Sequence, residues 1–327
     1  MTIYDIAQEA GVSASMVSRV INNRNGVAPE KRKRILELLE KYHYVPNEMA
    51  RSLVTNNTRM VGILATDIRH EHQLTGAHSI TRELAKCGYS GWICNCGGGD
   101  EERVAGIRDM ARRNVQAAVL MSSTFQSRAV EKTIAKYMND IPVLILNGCL
   151  ELPNVYGVMA DIRGGMRDCV RRLLEKGKRR IVLVNDAPIP TTKQKEQGYL
   201  AAMQEAGRGP AIIQPVPSSF EGGYDAVERM LTEYPDVDAV VCAQDIMACG
   251  VIRALWERKI PIPDAVSVVG CDNTTMSQIY IPKLTTLDTM LNDCSATIAH
   301  KLIDCLEDRG TNKRTVLMTS LIERETT

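Results

Sequence analysis

Residues 2–22 read TIYDIAQEAGVSASMVSRVIN, a stretch in which apolar residues recur at helical spacing. From Ile3 to Ala10 they fall three and four residues apart, which places them on one face of a helix. Gly11 follows at once, and glycine adopts the positive φ of a tight turn without steric cost. Ser13 is a favoured N-cap for a second helix that runs to the end of the stretch. The stretch therefore predicts a helix-turn-helix.

A third helix is predicted from Pro29, followed by a linker whose structure depends on burial. Residues 31–34 read KRKR, which is commonly a solvated helix face but here adds to a field that attracts phosphates. Asn47 can cap a short segment over residues 48–54. So short a segment does not hold a helix in water by itself. We expect it to become ordered only when Leu53 is buried.

From residue 60 onward, short apolar runs alternate with amphipathic helical stretches, which is typical of parallel sheets covered by helices on both faces. The predicted strands are Val61–Ala65, Trp92–Cys94, Ala117–Met121, Val143–Leu146, Ile181–Val184, Ala211–Ile213, Ala239–Cys242, Val266–Gly270 and the strand-like Val316–Leu321. The helices predicted between them include Thr75–Cys87, Ile162–Lys176, Gly198–Ala206 and Ile246–Arg258. Two such doubly wound halves leave a crevice beyond their strand ends, which is where ligands bind.

The composition indicates a two-domain protein of the reducing cytoplasm. The 327 residues carry a net charge of only +1, but residues 1–60 hold nine Lys/Arg against six Asp/Glu. The ten cysteines contain no C-x-x-C pair, so we expect buried, reduced thiols and no metal site. No signal peptide is recognisable, and no apolar run approaches the roughly 20 residues that span a bilayer.

Residues 3–13, the VSRVIN of residues 17–22, and YVPN with ARSL over residues 44–53 together resemble the lac repressor/gal repressor family, and the resemblance continues to the C-terminus. It implies a small all-α helix-turn-helix head and an α/β two-lobed core of doubly wound parallel sheets, like a periplasmic binding protein. It also implies a DNA-binding transcription regulator, a repressor whose operator affinity is set by a small-molecule effector, with no enzymatic activity and no cofactor.

The resemblance divides the chain into three parts. The head would span residues 1–46, the hinge 47–58 and the effector-binding and dimerisation domain 59–327. Within that domain, lobe 1 would consist of about residues 59–176 and 288–317, and lobe 2 of about residues 177–287 and 318–327. No leucine-rich heptad repeats follow these lobes, so we do not expect a tetramer built by such a tail. We expect a homodimer on a pseudo-palindromic operator.

The family pattern assigns the DNA contacts by position. The base readers would be Ala14, Ser15 and Arg19; the backbone contacts Tyr4, Ser18 and Asn22; the hinge residues Asn47 with the minor-groove wedge Ala50 and Leu53. Chemistry supports Arg19, because a guanidinium makes a bidentate contact to guanine worth about 1–3 kcal/mol of discrimination. Met16 stands where the family usually has threonine, which predicts a changed local readout.

Candidate effector contacts come from strand ends and from the family motifs. They are Asp67, His70, Ser122, Asp161, Lys195, Phe220, Gln244, Asp245 and Asp272. Lys195 occupies the position of the family's ligand-binding arginine. Lysine lacks the planar guanidinium group of arginine, which weakens the case for a bidentate ligand contact there. Each of these polar side chains could equally well be solvated at the surface or cap a helix. Arg69, His70 and Lys195 together suggest an anionic or phosphorylated ligand.

Three other hypotheses compete with these. The glycines of residues 97–99 suggest a phosphate loop, but a strand-to-helix turn with Asp100 as cap is the preferred interpretation. A solute-binding protein of a transporter would have a signal peptide and no head. A sugar-modifying enzyme would need converging acid, base or nucleophilic groups, which the sequence does not offer.

Overall fold

The structure, a computed structural model, describes residues 2–21, 23–44 and 58–327. The chain forms two compact units, and the division falls between Thr58 and Arg59.

The first unit is a head of three helices, α1 (Ile3–Ala10), α2 (Ala14–Ile21) and α3 (Pro29–Lys41). Thr2 caps α1 in a capping box with Asp5. Gly11 has φ +64°, so the turn predicted at this glycine is confirmed. The three helices enclose a small core formed by Ile6, Ala7, Val17, Val20, Ile35 and Leu38.

The second unit contains two six-stranded sheets. The first, in the order β11-β5-β4-β3-β1-β2, consists of β1 (Met60–Ala65), β2 (Ser90–Asn95), β3 (Ala117–Leu120), β4 (Val143–Leu146), β5 (Val155–Ala160) and β11 (Arg314–Leu317). The second, in the order β12-β10-β9-β8-β6-β7, consists of β6 (Ile181–Asn185), β7 (Ile212–Pro215), β8 (Ala239–Cys242), β9 (Ser267–Cys271), β10 (Thr285–Asp288) and β12 (Ser320–Ile322). All pairs are parallel except β10–β12, so the expected doubly wound fold is confirmed.

Helices cover both faces of each sheet. They are α4 (Glu71–Lys86), α5 (Asp100–Arg112), α6 (Arg128–Tyr137), α7 (Ile162–Glu175), α8 (Pro190–Glu205), α9 (Phe220–Glu233), α10 (Asp245–Glu257), α11 (Thr275–Ile279) and α12 (Leu291–Leu306). Each sheet with its helices forms one lobe, and each lobe has two apolar cores, one on either side of its sheet.

The first lobe ends earlier than the predicted residue 176. Helix α7 packs on the second sheet, where Met166 and Leu173 share a core with Ile181 and Tyr199. The chain therefore enters the second lobe directly after β5. The predicted strand Val316–Leu321 is also divided, because β11 joins the first sheet and β12 the second.

The cysteines depart from the expectation in one respect. All ten fall within the described residues and none is paired, but only five are buried, and Cys87 is exposed.

Two glycines allow α9 and α10 to approach closely. A Cβ at Gly223 would lie 2.0 Å from the carbonyl oxygen of Met247, and a Cβ at Gly250 would lie 2.0 Å from that of Phe220. Backbone atoms cannot move aside as a flexible side chain can. The contact therefore requires glycine at both positions.

We expect Gly223→Ala to lower the free energy of unfolding by about 1–3 kcal/mol, the usual cost of overpacking. Gly209→Ala is the matched control, because nothing lies within 4 Å of a Cβ at Gly209. Urea unfolding followed by circular dichroism measures both. Helix propensity alone would make alanine the more stable residue at position 223, so an unchanged or raised midpoint would contradict the close approach.

Candidate functional site

The head presents a polar surface along α2. Ser15 and Arg19 are exposed, and the side chain of Tyr4 on α1 is 73% exposed. Ser18 is half-buried. Of the other predicted DNA contacts, Asn22, Asn47, Ala50 and Leu53 lie outside the described residues.

Two residues of α2 are shared between this surface and the core of the head. Ala14 and Met16 are partly buried and pack against the helical core. Each therefore has only part of its side chain left for a base contact. The unusual methionine contributes to packing as well as to any change in readout.

The basic run of α3 adds positive charge to the head. Lys31, Lys33 and Arg34 are exposed. Arg32 is used internally, because its guanidinium donates to Oδ1 of Asn23 at 3.1 Å and to the carbonyl oxygen of Arg24. Three of the four basic side chains therefore extend toward solvent, where they can attract phosphates.

In the second unit, a cavity of about 790 Å³ lies between the two lobes. Seven of the nine predicted effector residues line it, namely His70, Ser122, Lys195, Phe220, Gln244, Asp245 and Asp272. They come from the carboxyl ends of strands in both sheets and from the helices that follow. A cavity of this size accepts a small metabolite.

The remaining two predicted residues do not line the cavity, and each has a structural partner. Asp161 caps α7, with its Oδ1 accepting the Gly164 N–H at 2.9 Å. Asp67 binds the Arg69 guanidinium at 2.6 Å. Hydrogen bonds from Arg69 lower the pKa of Asp67 well below its ordinary value, so this carboxylate stays charged.

Lys195 is buried at the second-lobe side of the cavity, where its ammonium donates to the carbonyl oxygen of Ala243. Burial alone lowers the pKa of Lys195, but the neighbouring Cys271, Asp272 and Asp245 outweigh burial and raise it. The ammonium therefore stays charged and lies close to acidic groups.

Asp245 is the most constrained carboxyl of the cavity. It accepts the N–H of Thr274 at 2.7 Å and the hydroxyls of Thr274 and Thr286 at 2.9 and 2.6 Å. Burial nevertheless raises the pKa of Asp245 to about 7. Asp245 thus holds the ends of β9 and β10 together at the base of the cavity.

Sequence reasoning missed a set of hydroxyl and amide side chains that line the same cavity. They are Ser123, Thr124, Asn147, Thr191, Ser218, Ser219, Thr274 and Thr289. Most of them directly follow strands or begin helices, so the strand-end rule could have found them once every strand was known. Ser218 donates to Oε1 of Gln244 at 2.6 Å, which orients the amide at the predicted position.

The glycine loop after β2 forms a turn. Gly99 caps α5, one residue before the predicted Asp100, and its N–H donates to the Glu102 carboxylate at 2.8 Å. Because Glu102 occupies this helix N-terminus, a phosphate there would meet a carboxylate already in place. The turn interpretation is confirmed, with the cap shifted by one residue.

Two hydrogen bonds cross between the lobes at the cavity. Oε1 of Glu71, in the first turn of α4, accepts the N–H of Thr275 at the start of α11, at 2.8 Å. The hydroxyls of Ser123 and Thr191 lie 3.3 Å apart. Both bonds join the two lobes, so they favour the present arrangement and would break if the lobes moved apart.

Residues 2–21, 23–44 and 58–327 contain no group of three or more His, Cys, Asp or Glu side chains that could hold a metal ion. No helix within those ranges is long and apolar enough to cross a membrane.

Family models match both parts of the chain. Residues 2–47 match the model of bacterial regulatory proteins of the lacI family. Residues 170–327 match the model of a periplasmic binding protein-like domain.

Curated relatives match over nearly the whole of this chain. An HTH-type transcriptional regulator of Lachnoclostridium phytofermentans is 26% identical over 100% of this chain and 99% of its own. Catabolite control protein A of Priestia megaterium is 29% identical over 97% and 94%. The HTH-type transcriptional repressor PurR of Histophilus somni is 27% identical over 94% and 93%.

Solved structures share the fold. The lac repressor dimer bound to operator and the anti-inducer ONPF has a TM-score of 0.92, with 23% identity over 100% of this chain and 98% of that chain. The transcriptional regulator CelR in complex with cellobiose has a TM-score of 0.74, with 24% identity and complete coverage of both chains.

Proposed function

The chain belongs to the lacI family of bacterial regulatory proteins, transcriptional regulators and not enzymes, and from this premise we propose that it is a repressor controlled by a small-molecule effector. The head binds a pseudo-palindromic operator in double-stranded DNA, and the effector binds in the cavity between the lobes. Because it binds operator DNA and a small-molecule effector, we propose that the protein acts in the bacterial cytoplasm.

One observation carries this proposal. A helix-turn-helix with an exposed Arg19 on its second helix is joined, in one chain, to a two-lobed unit with a polar cavity of about 790 Å³. The first feature reads bases in the major groove. The second binds a metabolite. An effector that binds one arrangement of the lobes more tightly than the other shifts the protein toward that arrangement. The resulting change in operator affinity is limited by the difference between the effector's affinities for the two arrangements.

For the head we propose Ser15 and Arg19 as base readers, with a smaller share for Ala14, and Tyr4 and Ser18 as backbone contacts. Asn22, Asn47, Ala50 and Leu53 keep the roles that the family pattern gives them. For the effector we propose the seven lining residues together with the hydroxyl side chains around them.

The proposal is tested by selecting operator sequences from randomised duplexes with the purified protein at one stated salt concentration. Enrichment of a pseudo-palindrome supports it. Repeating the selection with and without a metabolite extract then shows whether the effector releases DNA or promotes binding. No enrichment under either condition contradicts the proposal.

Two half-sites require two heads, so we propose a symmetric homodimer. The second lobe offers an apolar surface, in which Trp256, Ile279 and Ile281 are 64%, 65% and 87% exposed. Trp256 also lines a groove together with Pro282, the residue after Ile281. We propose that this surface is the dimer interface, because a large exposed apolar patch marks an interaction site and the same patch on a second copy would cover it.

Ile281→Asp is expected to convert the dimer to a monomer at micromolar concentration, because a charge cannot be buried unpaired at an interface. Ile281 contributes little to folding, since it is almost fully exposed. Sedimentation velocity measures the change. Tyr137→Asp, at an exposed position on the first lobe, is the matched control and should stay dimeric. A dimeric Ile281→Asp would place the interface elsewhere.

A further inference from the structure

The basic side chains of the cavity are already matched by other groups. Arg69 pairs with Asp67, and its side chain is 88% exposed. Arg103 is buried, and its guanidinium binds Oδ1 of Asp100 at 2.8 Å and the Gly98 carbonyl oxygen at 2.5 Å. Each guanidinium is paired with a carboxylate, and of their buried nitrogens within the described ranges only Nε of Arg103 lacks a hydrogen-bond partner, so the anion suggested by the sequence is disfavoured.

The remaining basic groups do not change this balance, and His70 lies with its Nε2 3.9 Å from Oδ2 of Asp67, the carboxylate that already pairs with Arg69. Lys195 faces both Asp272 and Asp245. Burial lowers the pKa of His72, so this imidazole is neutral near pH 7. One ammonium is therefore shared by two carboxyl groups at the base of the cavity.

The acidic side chains of the cavity are not matched in the same way. Glu71, Asp186 and Glu221 also line it. Over the described ranges, no Lys, Arg or His nitrogen lies within 4.0 Å of these three carboxylates. Glu71 accepts the backbone N–H of Thr275, and Oδ1 of Asp186 accepts the N–H of the next residue, Ala187. Within the described ranges this leaves Oδ2 of Asp186 and the Glu221 carboxylate available to a ligand.

Asp186 and Glu221 lie at the same edge of the second sheet. Asp186 directly follows β6, and Glu221 lies in the first turn of α9, after β7. Strands β6 and β7 are neighbours, and the Val216 N–H donates to the Asn185 carbonyl oxygen at 2.9 Å where the two loops begin. Phe220, also lining the cavity, stands beside Glu221.

We propose that the effector is a hydroxylated amine such as an amino sugar, with its ammonium bound by Asp186 and Glu221 and its hydroxyls bound by the serines and threonines of the cavity. This inference rests on the proposed function, because it names the ligand of the same cavity. A partly desolvated ammonium is attracted to unpaired carboxylates. A phosphate or carboxylate at the same place is repelled by them.

The test is titration calorimetry of the full chain with D-glucosamine, D-galactosamine and D-mannosamine, each beside its neutral parent hexose and the parent's 6-phosphate. We expect at least one amino sugar to bind about tenfold or more tightly than its neutral parent, and the 6-phosphates to bind more weakly still.

Variants separate this site from bulk charge. Asp186→Asn and Glu221→Gln should each weaken the amino sugar by about tenfold and leave the neutral parent nearly unchanged. Glu205→Gln removes the same charge at an exposed position away from the cavity lining, so it should leave both affinities unaltered.

The proposal is overturned if a neutral or phosphorylated hexose binds as tightly as its amino form, if no amino sugar binds, or if Glu205→Gln has the same effect as the cavity variants. Operator selection with the same preparation distinguishes the two levels. If an operator is enriched but no amino sugar binds, the proposed repressor function is supported and the amine inference is wrong. If no operator is enriched, the proposed function itself is wrong.

Discussion

Arg19→Ala is expected to weaken binding to the selected operator by about 30-fold to about 10⁴-fold. A bidentate arginine–guanine contact contributes about 1–3 kcal/mol, and a symmetric dimer loses two of them. Arg19 is exposed on α2, so its removal leaves the core of the head intact. Fluorescence anisotropy with the selected duplex and with a scrambled duplex of equal length measures the loss.

The comparison with scrambled DNA gives this prediction its specificity. Arg19→Ala should reduce the ratio of the two affinities, because base contacts specify whereas phosphate contacts only position. Lys31→Ala, an exposed charge on α3, is the matched control and should weaken both duplexes equally with a shallower salt dependence. An unchanged affinity ratio for Arg19→Ala would remove this residue from base recognition.

The head could be predicted from sequence because its structure depends on neighbours close in the chain. The spacing of Ile6 and Val17 within their helices and the positive φ at Gly11 are local features, and together they determine one small core. The central strands were equally clear, since runs such as Val240 with Val241 are apolar on both faces.

Strands β5 and β10 were missed because apolar content does not define them. β5 contains Tyr156 and Gly157 in its centre. β10 reads TTLD, and its buried Thr285 and Thr286 are satisfied by hydrogen bonds to residues far away in sequence. Such burial of polar groups depends on tertiary partners, which no local pattern reveals.

The same reason limits the prediction of the cavity. Helices α4 and α8 begin earlier than their apolar periodicity suggests, because their first turns are polar and line the cavity. The apolar face of α7 predicts that it packs on a sheet but not on which one, so the lobe boundary was placed too late. Arg103 appears in the sequence as an ordinary helix residue, although it is buried beside the cavity.

Lys195→Met is expected to lower the free energy of unfolding of the second unit by about 3–5 kcal/mol, because removing one member of a buried charged cluster leaves the others uncompensated. Asp245 and Asp272 would then face each other without the ammonium between them. The same change should weaken the response to the effector, since Lys195 lines the cavity and lies beside Asp245 and Asp272 at its base.

Two variants distinguish charge from packing. Lys195→Arg restores the cation at the position where the family pattern has arginine, so it should recover most of the lost stability despite its larger head group. Lys193→Met, exposed on the same helix, should be nearly neutral. If Lys195→Arg is as unstable as Lys195→Met, the loss arises from packing and the electrostatic explanation fails.

The pH dependence provides an independent test of the same cluster. Burial raises the pKa of Asp245 to about 7 from an ordinary value of 3.8, so the folded protein binds this proton more tightly than the unfolded chain does. The contribution of Asp245 to stability therefore decreases as the pH rises from about 4 through about 7. Without the ammonium of Lys195 the pKa of Asp245 should rise further, which makes the stability loss of Lys195→Met larger at about pH 8.5 than at about pH 5.5. Urea unfolding at the two pH values measures the difference, and an equal loss at both would show that Asp245 does not titrate against Lys195.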